Sequence, residues 1–362
     1  MTLKRVIIAT GGTGGHIFPA LAVADELAAR NPGTTILFAG GAGPEGDMAR
    51  NHGLEFLELP AKGIMGRGLS GLLGGVSWLG RGLPKAMAAV SRFKPDAAIG
   101  FGGYAGFCPV LAAALLGVPS AVHEQNSVPG VTNKILGKVV KRIFLSFPDT
   151  HGAFPAGKTA LTGNPVRAAI VAAGDARFAD PERTPGKRVL VLGGSQGARP
   201  VNNAVIAALP RLMAEGVTLV HQAGRADAAR VRAAYEAVGS DPAQVHDFIE
   251  DMAAMYARTD LAICRAGATT VFEVAAAGVP ALFVPFPQAT HDHQTMNARA
   301  MTDMGAALLL PQSTLTGEGL ADTALALLGD PDQLMTMENA ARAFARPGAA
   351  SDIATGLEAL AA

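Results

Sequence analysis

Twice along this chain a short apolar run of strand type ends in a glycine-rich loop and passes into a helical pattern. Arg5 to Thr10 runs into Gly11 to Gly15, a helix over about Ile17 to Arg30, and a second strand over Thr34 to Ala39. Much later, Arg188 to Leu192 enters Gly193-Gly194-Ser195-Gln196-Gly197-Ala198 and a helix over about Val201 to Ala214. Ile17, Leu21, Ala24 and Ala28 keep the three-to-four spacing of a buried helix face, and Pro19 suits a first turn, where a missing N–H is harmless. Strand, helix and strand in this order make a βαβ unit and therefore a parallel sheet. A second pair of segments repeats as well. Lys94 to Gly100, a small-residue loop, an apolar helix and Gly117-Val118-Pro119 match Thr259 to Cys264, Arg265-Ala266-Gly267, an apolar helix and Gly278-Val279-Pro280. The order is kept while loop lengths drift, which predicts two parallel-sheet α/β domains in tandem, a size that 362 residues accommodate.

Composition removes several classes. With 49% apolar and 17% charged residues the chain can bury a large core, unlike a disordered one. Thirty basic and thirty acidic side chains leave no net charge, so no nucleic-acid partner is expected. Cys108 and Cys264 are too far apart in sequence for a CxxC metal or redox site, and two cysteines make no disulfide framework. The run Val6 to Thr10 is too short for a signal-peptide core. Ala97 to Val122 carries no charge and is long enough to span a bilayer, but Gly100, Gly102, Gly103, Gly106, Pro109 and Gly117-Val118-Pro119 punctuate it into strand, glycine loop, buried helix and second strand.

In open parallel sheets ligands lie beyond the carboxyl ends of the strands, so the loops there are the candidate site. Gly11-Gly12-Thr13-Gly14-Gly15-His16 sets four glycines and a threonine between strand and helix, where N–H groups and the helix dipole meet an anion. A tight turn alone rarely needs four glycines. His16 stands at the first helical turn as a candidate general base. The loop Gly193 to Ala198 repeats this logic, with Ser195 suited to a diphosphate. His123-Glu124-Gln125-Asn126 clusters polar groups at the end of an apolar strand, where they must bind a ligand or one another. Glu273 can accept two hydroxyl protons of a sugar diol, and Gln294 and Asn297, three apart, would share a helix face and read sugar hydroxyls. Other patterns are decoys. Gly41 to Gly46 is a formal GxGxxG after the wrong strand, and Gly152 to Thr159 spells a phosphate loop with no helix to follow. His291-Asp292-His293 lacks distant metal partners, and Asp330 before Pro331 reads as a helix N-cap. Between Ile64 and Met87, Leu69, Leu72, Leu73, Val76, Trp78, Leu79 and Leu83 form an apolar stripe flanked by Arg67, Arg81 and Lys85, with Lys134, Lys138, Lys141 and Arg142 in a later basic helix. Such a stripe serves either an anionic bilayer surface or an ordinary core.

Together these segments, with Gly100-Phe101-Gly102-Gly103-Tyr104, Gly163-Asn164-Pro165-Val166-Arg167, Phe248-Ile249-Glu250-Asp251-Met252, Arg265 to Thr270 and Asp292 to Asn297, resemble the MurG family of UDP-N-acetylglucosamine transferases of bacterial peptidoglycan synthesis. The likeness covers nearly the whole chain in order, and only the region after about Pro311 is undistinguished. It implies a GT-B fold, two Rossmann-like domains facing a central cleft. The expected domains are 1–164, acceptor-binding and membrane-associated and joined by a C-terminal helix 345–362, and 165–344, which binds UDP-GlcNAc. The implied reaction moves GlcNAc from UDP-GlcNAc to the 4-hydroxyl of MurNAc in undecaprenyl-diphospho-MurNAc-pentapeptide (lipid I), with inversion, at the cytoplasmic face of an anionic inner membrane.

The same resemblance implies donor contacts at Thr13, Gly14, Gly15, Asn126, Arg167, Ser195, Ile249, Ala268, Thr269, Thr270, Glu273 and Gln294, and neither metal nor cofactor. The Ile249 backbone would hold uracil, Glu273 the ribose, Ser195 the diphosphate, and Asn126 and Gln294 the sugar. Inversion by direct displacement needs one base and no covalent nucleophile. His16 is the first candidate, Glu124 the second, and Tyr104 an acceptor-side hydrogen-bonding group. Two other functions fit the pattern less completely: a UDP-GlcNAc 2-epimerase, acting on the donor alone, and a non-catalytic membrane-recruiting subunit, which needs only one of the two sets of loops.

Overall fold

A computed structural model of the protein describes residues 2–60, 68–149, 152–194 and 196–362, with those at 68–78 and 242 described by backbone alone. The chain forms two compact units, Met1–Arg167 with Arg346–Ala362, and Ala168–Ala345.

In the first unit the strands are β1 (Arg5–Ala9), β2 (Thr35–Gly40), β3 (Glu55–Glu58), β4 (Ala97–Gly100), β5 (Ser120–Glu124), β6 (Arg142–Leu145) and β7 (Thr159–Leu161). They form one parallel sheet in the order β3-β2-β1-β4-β5-β6-β7. Its helices are α1 (Gly14–Arg30), α2 (Pro44–Asn51), α3 (Gly68–Phe93), α4 (Gly103–Leu115) and α5 (Val131–Leu136). β1 shows why the strands read as unbroken apolar runs: both faces are covered. Val6 and Ile8 pack with Ile17 and Leu21 of α1, while Ile7 and Ala9 pack with Val90 of α3 and Val110 of α4.

The second unit repeats the plan. Its helices begin with α6 (Ala168–Ala179), α7 (Arg199–Ala214), α8 (Ala228–Ala237) and α9 (Met252–Ala257), and continue with α10 (Ala268–Ala276), α11 (His293–Thr302), α12 (Gly317–Leu328) and α13 (Pro331–Phe344). Its strands are β8 (Arg188–Leu192), β9 (Thr218–Gln222), β10 (Val245–His246), β11 (Leu261–Cys264), β12 (Ala281–Phe283) and β13 (Ala307–Leu309), in the parallel order β10-β9-β8-β11-β12-β13. In both sheets the first strand lies between the second and the fourth, so successive connections leave its edges in opposite directions and open a ligand crevice at its carboxyl end. The last helix, α14 (Ala349–Ala361), belongs to the first unit. Ile353 and Leu357 join the core beside α1, and Arg30 donates to Ser351 O at 2.7 Å and pairs with Glu358 at 3.2 Å.

Local details depart from the sequence expectations. The helix after β1 begins at Gly14, so Gly14 and Gly15 are helical rather than loop, and Pro19 lies beyond the first turn. Gly12, at φ 101°, turns the chain early enough for the two glycines to open the helix despite their low helix propensity. Likewise α4 begins at Gly103, well before Pro109. Gly152 to Thr159 leads into β7 through a short 3₁₀ turn with no α-helix, and Asp330 caps α13 by accepting from Gln333 N at 3.0 Å. Ala97 to Val122 is strand, helix and strand, and among the described residues no helix is long and apolar enough to cross a membrane. Of the apolar stripe, 64–67 and the side chains of Leu69, Leu72, Leu73, Val76 and Trp78 lie outside what is described, whereas Leu79, Leu83 and Met87 pack on the core.

Candidate active site

Three loops converge at the carboxyl end of the first sheet. The β1–α1 turn and the β4–α4 turn meet backbone to backbone, since a Cβ on Gly103 would stand 2.3 Å from Gly11 O and one on Gly11 would stand 2.8 Å from Ala105 Cβ. Glycine there is a packing requirement. Thr13 caps α1 with extended φ/ψ, its carbonyl taking the His16 and Ile17 amides at 3.0 and 3.2 Å, while its hydroxyl makes no cap bond. Gly14 and Gly15 occupy the first turn of α1. Arg167 lies with its guanidinium 4.5 Å from the ring of Phe18, which covers Gly14.

His16, in that first turn, has Nδ1 2.9 Å from Gln125 Oε1. Gly102, at φ 88°, faces this pair: a Cβ would lie 3.2 Å from His16 Cε1 and 3.6 Å from Gln125 Oε1. Tyr104 stands in the first turn of α4, beside the same glycines. Behind them His123, Glu124 and Gln125 are almost fully buried, and each is satisfied by protein neighbours. Gln125 Nε2 contacts His123 Nδ1 at 3.0 Å and His123 O at 3.2 Å, and His123 Nε2 lies 3.1 Å from Gly163 O. Burial pushes the His123 imidazole down to about 4, so it is neutral near pH 7. Glu124 accepts three N–H groups: Asn126 N at 3.0 Å on one oxygen, and Gly130 N at 3.0 Å and Asn133 Nδ2 at 2.9 Å on the other. The cluster expected either to bind a ligand or to satisfy itself is thus largely self-satisfied, and it reaches His16 through Gln125.

In the second unit the loop after β8 is backed by the loop after β9. A Cβ on Gly197, at φ 76°, would meet Ala223 O at 2.5 Å, and one on Gly224 would meet Gly197 Cα at 2.5 Å. Ala223 O is held by Asn202 Nδ2 at 3.0 Å, which also donates to Asp227 at 2.7 Å, while His221 and Tyr235 complete a buried polar chain beneath. Ser195 lies outside the described residues. Ala268, Thr269 and Thr270 open α10 behind Gly267, presenting first-turn N–H groups at the end of β11. Glu273 is buried on the same helix and accepts from Tyr256 Oη at 3.3 Å. Ile249 N–H is taken by Gln222 Oε1 at 2.9 Å. Gln294 Oε1 accepts from Phe286 N at 3.0 Å, turning its NH₂ away from that bond. Asn297 is fully buried and donates to Ala266 O at 3.2 Å, which braces the loop before α10. Among the described residues no group of three His, Cys, Asp or Glu side chains is placed to hold a metal ion.

Residues 6–145 match the model of the glycosyltransferase family 28 N-terminal domain and residues 188–353 that of its C-terminal domain. Both sheets, with glycine loops and helix N-termini at their carboxyl ends, are those of the GT-B class of nucleotide-sugar enzymes. The UDP-N-acetylglucosamine–N-acetylmuramyl-(pentapeptide) pyrophosphoryl-undecaprenol N-acetylglucosamine transferase of Solidesulfovibrio magneticus is 54% identical over 99% of each chain. That of Nitratidesulfovibrio vulgaris strain DP4 is 52% identical over 98% of this chain and 97% of its own. The crystal structure of Acinetobacter baumannii MurG, 35% identical, superposes with a TM-score of 0.77 over 98% of this chain and 99% of that one. The chain belongs to glycosyltransferase family 28, within the MurG family. A UDP-GlcNAc 2-epimerase from Neisseria meningitidis shares the fold at 14% identity, TM-score 0.68.

Proposed function

We propose that the protein transfers N-acetylglucosamine from UDP-GlcNAc to the 4-hydroxyl of MurNAc in undecaprenyl-diphospho-MurNAc-pentapeptide, forming the disaccharide-linked lipid used in peptidoglycan synthesis. The observation that carries the reading is the full-length likeness, above half identity, to transferases named for this donor and acceptor. The donor engages the second unit: uracil at the Ile249 carbonyl, ribose hydroxyls at Glu273, and the diphosphate at the N–H groups of Ala268, Thr269 and Thr270 and at the loop carrying Ser195. Gln294 offers its NH₂ to the sugar. Thr13, Gly14, Gly15, Asn126 and Arg167 complete the donor contacts from the first unit, and Tyr104 meets the acceptor.

His16 is the base that takes the proton of the acceptor hydroxyl as its oxygen attacks the anomeric carbon. Glu124, whose two oxygens already accept three N–H groups, shapes the Asn126 loop instead. N–H dipoles at the α10 N-terminus stabilise charge on the departing UDP, a part helix N-termini serve well in a water-poor site.

A lipid-linked acceptor is met at a membrane surface, and we place the first unit there, peripherally on the cytoplasmic face of the inner membrane. Val131, Ile135 and Val139 are each 50% exposed at four-residue spacing beside the exposed Lys134, Lys138 and Lys141, which supports that reading. Changing the three to serine is expected to abolish sedimentation with phosphatidylglycerol vesicles while transfer to a soluble acceptor analogue persists; unchanged sedimentation contradicts it. The catalytic reading is tested by UDP release. Release that requires a lipid I analogue supports a transferase, and UDP-GlcNAc turnover without it points to an epimerase.

A further inference from the structure

Gln125 touches two imidazoles with one amide, and the two ends of that amide are told apart by their neighbours. One end lies 3.2 Å from the carbonyl oxygen of His123. A carbonyl only accepts, so this end is the NH₂ group. Its other hydrogen meets His123 Nδ1 at 3.0 Å, which makes Nδ1 a lone-pair acceptor and leaves the His123 proton on Nε2. There Gly163 O accepts it at 3.1 Å. With Nε2 committed to His123, the amide oxygen of Gln125 faces His16 Nδ1 at 2.9 Å and can only accept from it. Hydrogen-bond direction therefore runs one way, His16 to Gln125 to His123 to Gly163, and two backbone carbonyls that cannot donate fix its sense.

We infer that Gln125 is a positioning residue that holds His16 as its Nδ1–H tautomer and so presents the Nε2 lone pair to the acceptor hydroxyl. This deepens the reading of His16 as the base and rests on it. In the step it serves, the hydroxyl proton passes to His16 Nε2, the hydroxyl oxygen bonds to the anomeric carbon, and the bond to the diphosphate oxygen breaks with its electrons leaving on UDP. His16 becomes an imidazolium that still donates Nδ1–H to Gln125. Two features keep the relay in one state. His123 is buried and neutral, so its Nδ1 remains an acceptor and the amide cannot turn over. Gly102 leaves the His16 ring its room, because any side chain there would press on Cε1.

The test reads the tautomer directly. Protein carrying ¹⁵N-labelled imidazoles is examined by long-range proton–nitrogen correlation at alkaline pH, with His16→Gln assigning the signals. The expected spectrum has His16 Nδ1 as the protonated, pyrrole-type nitrogen and Nε2 as the pyridine-type one; the reverse pattern in the unaltered protein overturns the inference. Gln125→Met, similar in length but without either polar group, is expected to move His16 toward the Nε2–H form. It should also lower kcat at least tenfold with the UDP-GlcNAc KM within twofold, and an unchanged tautomer in a folded Gln125→Met protein overturns the inference as well. The two readings fail separately. A near-normal rate for His16→Ala removes His16 as base whatever its tautomer, whereas a lost rate together with an Nε2–H His16 in the unaltered protein removes Gln125 alone.

Discussion

Replacing Glu124 by glutamine separates a base from a scaffold, and the geometry gives the size of the effect. The carboxylate is 3% exposed and accepts Asn126 N–H on one oxygen and Gly130 N–H and Asn133 Nδ2–H on the other. An amide has one acceptor end. Its better orientation keeps the oxygen toward Gly130 and Asn133 and turns NH₂ against the Asn126 N–H, donor against donor. One charge-assisted bond is lost, at about 1.5–3 kcal/mol, one amide N–H is left unsatisfied, at about 1–3 kcal/mol, and the two surviving bonds weaken as the charge disappears. The sum is roughly 2.5–6 kcal/mol, which for a unit of this size lowers Tm by about 5–25 °C. Because the strained contact is at Asn126, the donor KM should rise severalfold, and kcat should fall less than it does for His16→Ala. Thermal unfolding and steady-state kinetics of Glu124→Gln measure both. An unchanged Tm and KM with kcat down a hundredfold or more would show that Glu124 acts on the substrate and refute the scaffold argument.

Other expectations follow from single contacts. His16→Ala should lower kcat at least tenfold with the donor KM little changed, measured by transfer kinetics; a near-normal rate removes His16 from the role. Gly102→Ala should cost more than tenfold in kcat and about 1–3 kcal/mol in stability, because φ 88° disfavours a side chain and the new Cβ crowds His16 Cε1 at 3.2 Å. His123 and His221, one buried in each unit, both have pKa values lowered by burial from 6.5 to about 4. The unfolded chain therefore takes up each proton first, so their stabilisation is complete above pH 6.5 and is lost as the pH falls toward about 4, at about 1.4 kcal/mol per pH unit and histidine. Melting curves between pH 7.5 and 5 should be flat in the upper part of that range and fall below it; a Tm that rises on acidification contradicts the burial argument.

The sheets were legible because strands covered on both faces leave unbroken apolar runs, as Val6 to Ala9 and Val189 to Leu192 do, and glycine marks where each run ends. Helix starts were less legible. Gly14 and Gly103 look like loop residues by propensity, and only the positive φ of Gly12 and Gly102 just before them shows why the helices begin there. At the site, the residue types single out loops that lie at the carboxyl ends of the strands, but they do not show which neighbour each side chain meets. Glu124 reads as a second candidate base, and nothing in its local sequence shows that Gly130 and Asn133, several residues away, donate to its carboxylate. Gln125 drew no role of its own, although it sits inside the polar cluster that the sequence singles out, because an amide's function depends on which atom faces which neighbour. Asn297 reads as a partner of Gln294 by helical spacing, yet that spacing does not show that its amide is buried against Ala266 O. Such assignments belong to tertiary contacts, which no local pattern encodes.

The most direct test of the central claim is the product itself. Labelled UDP-GlcNAc is incubated with a soluble lipid I analogue, with and without EDTA and beside a control lacking acceptor, and the sugar linkage of the product is determined by mass and proton coupling. The account predicts a β-1,4-linked GlcNAc–MurNAc disaccharide that forms only with acceptor and survives EDTA. Loss of UDP-GlcNAc without acceptor, or an α linkage in the product, would contradict it.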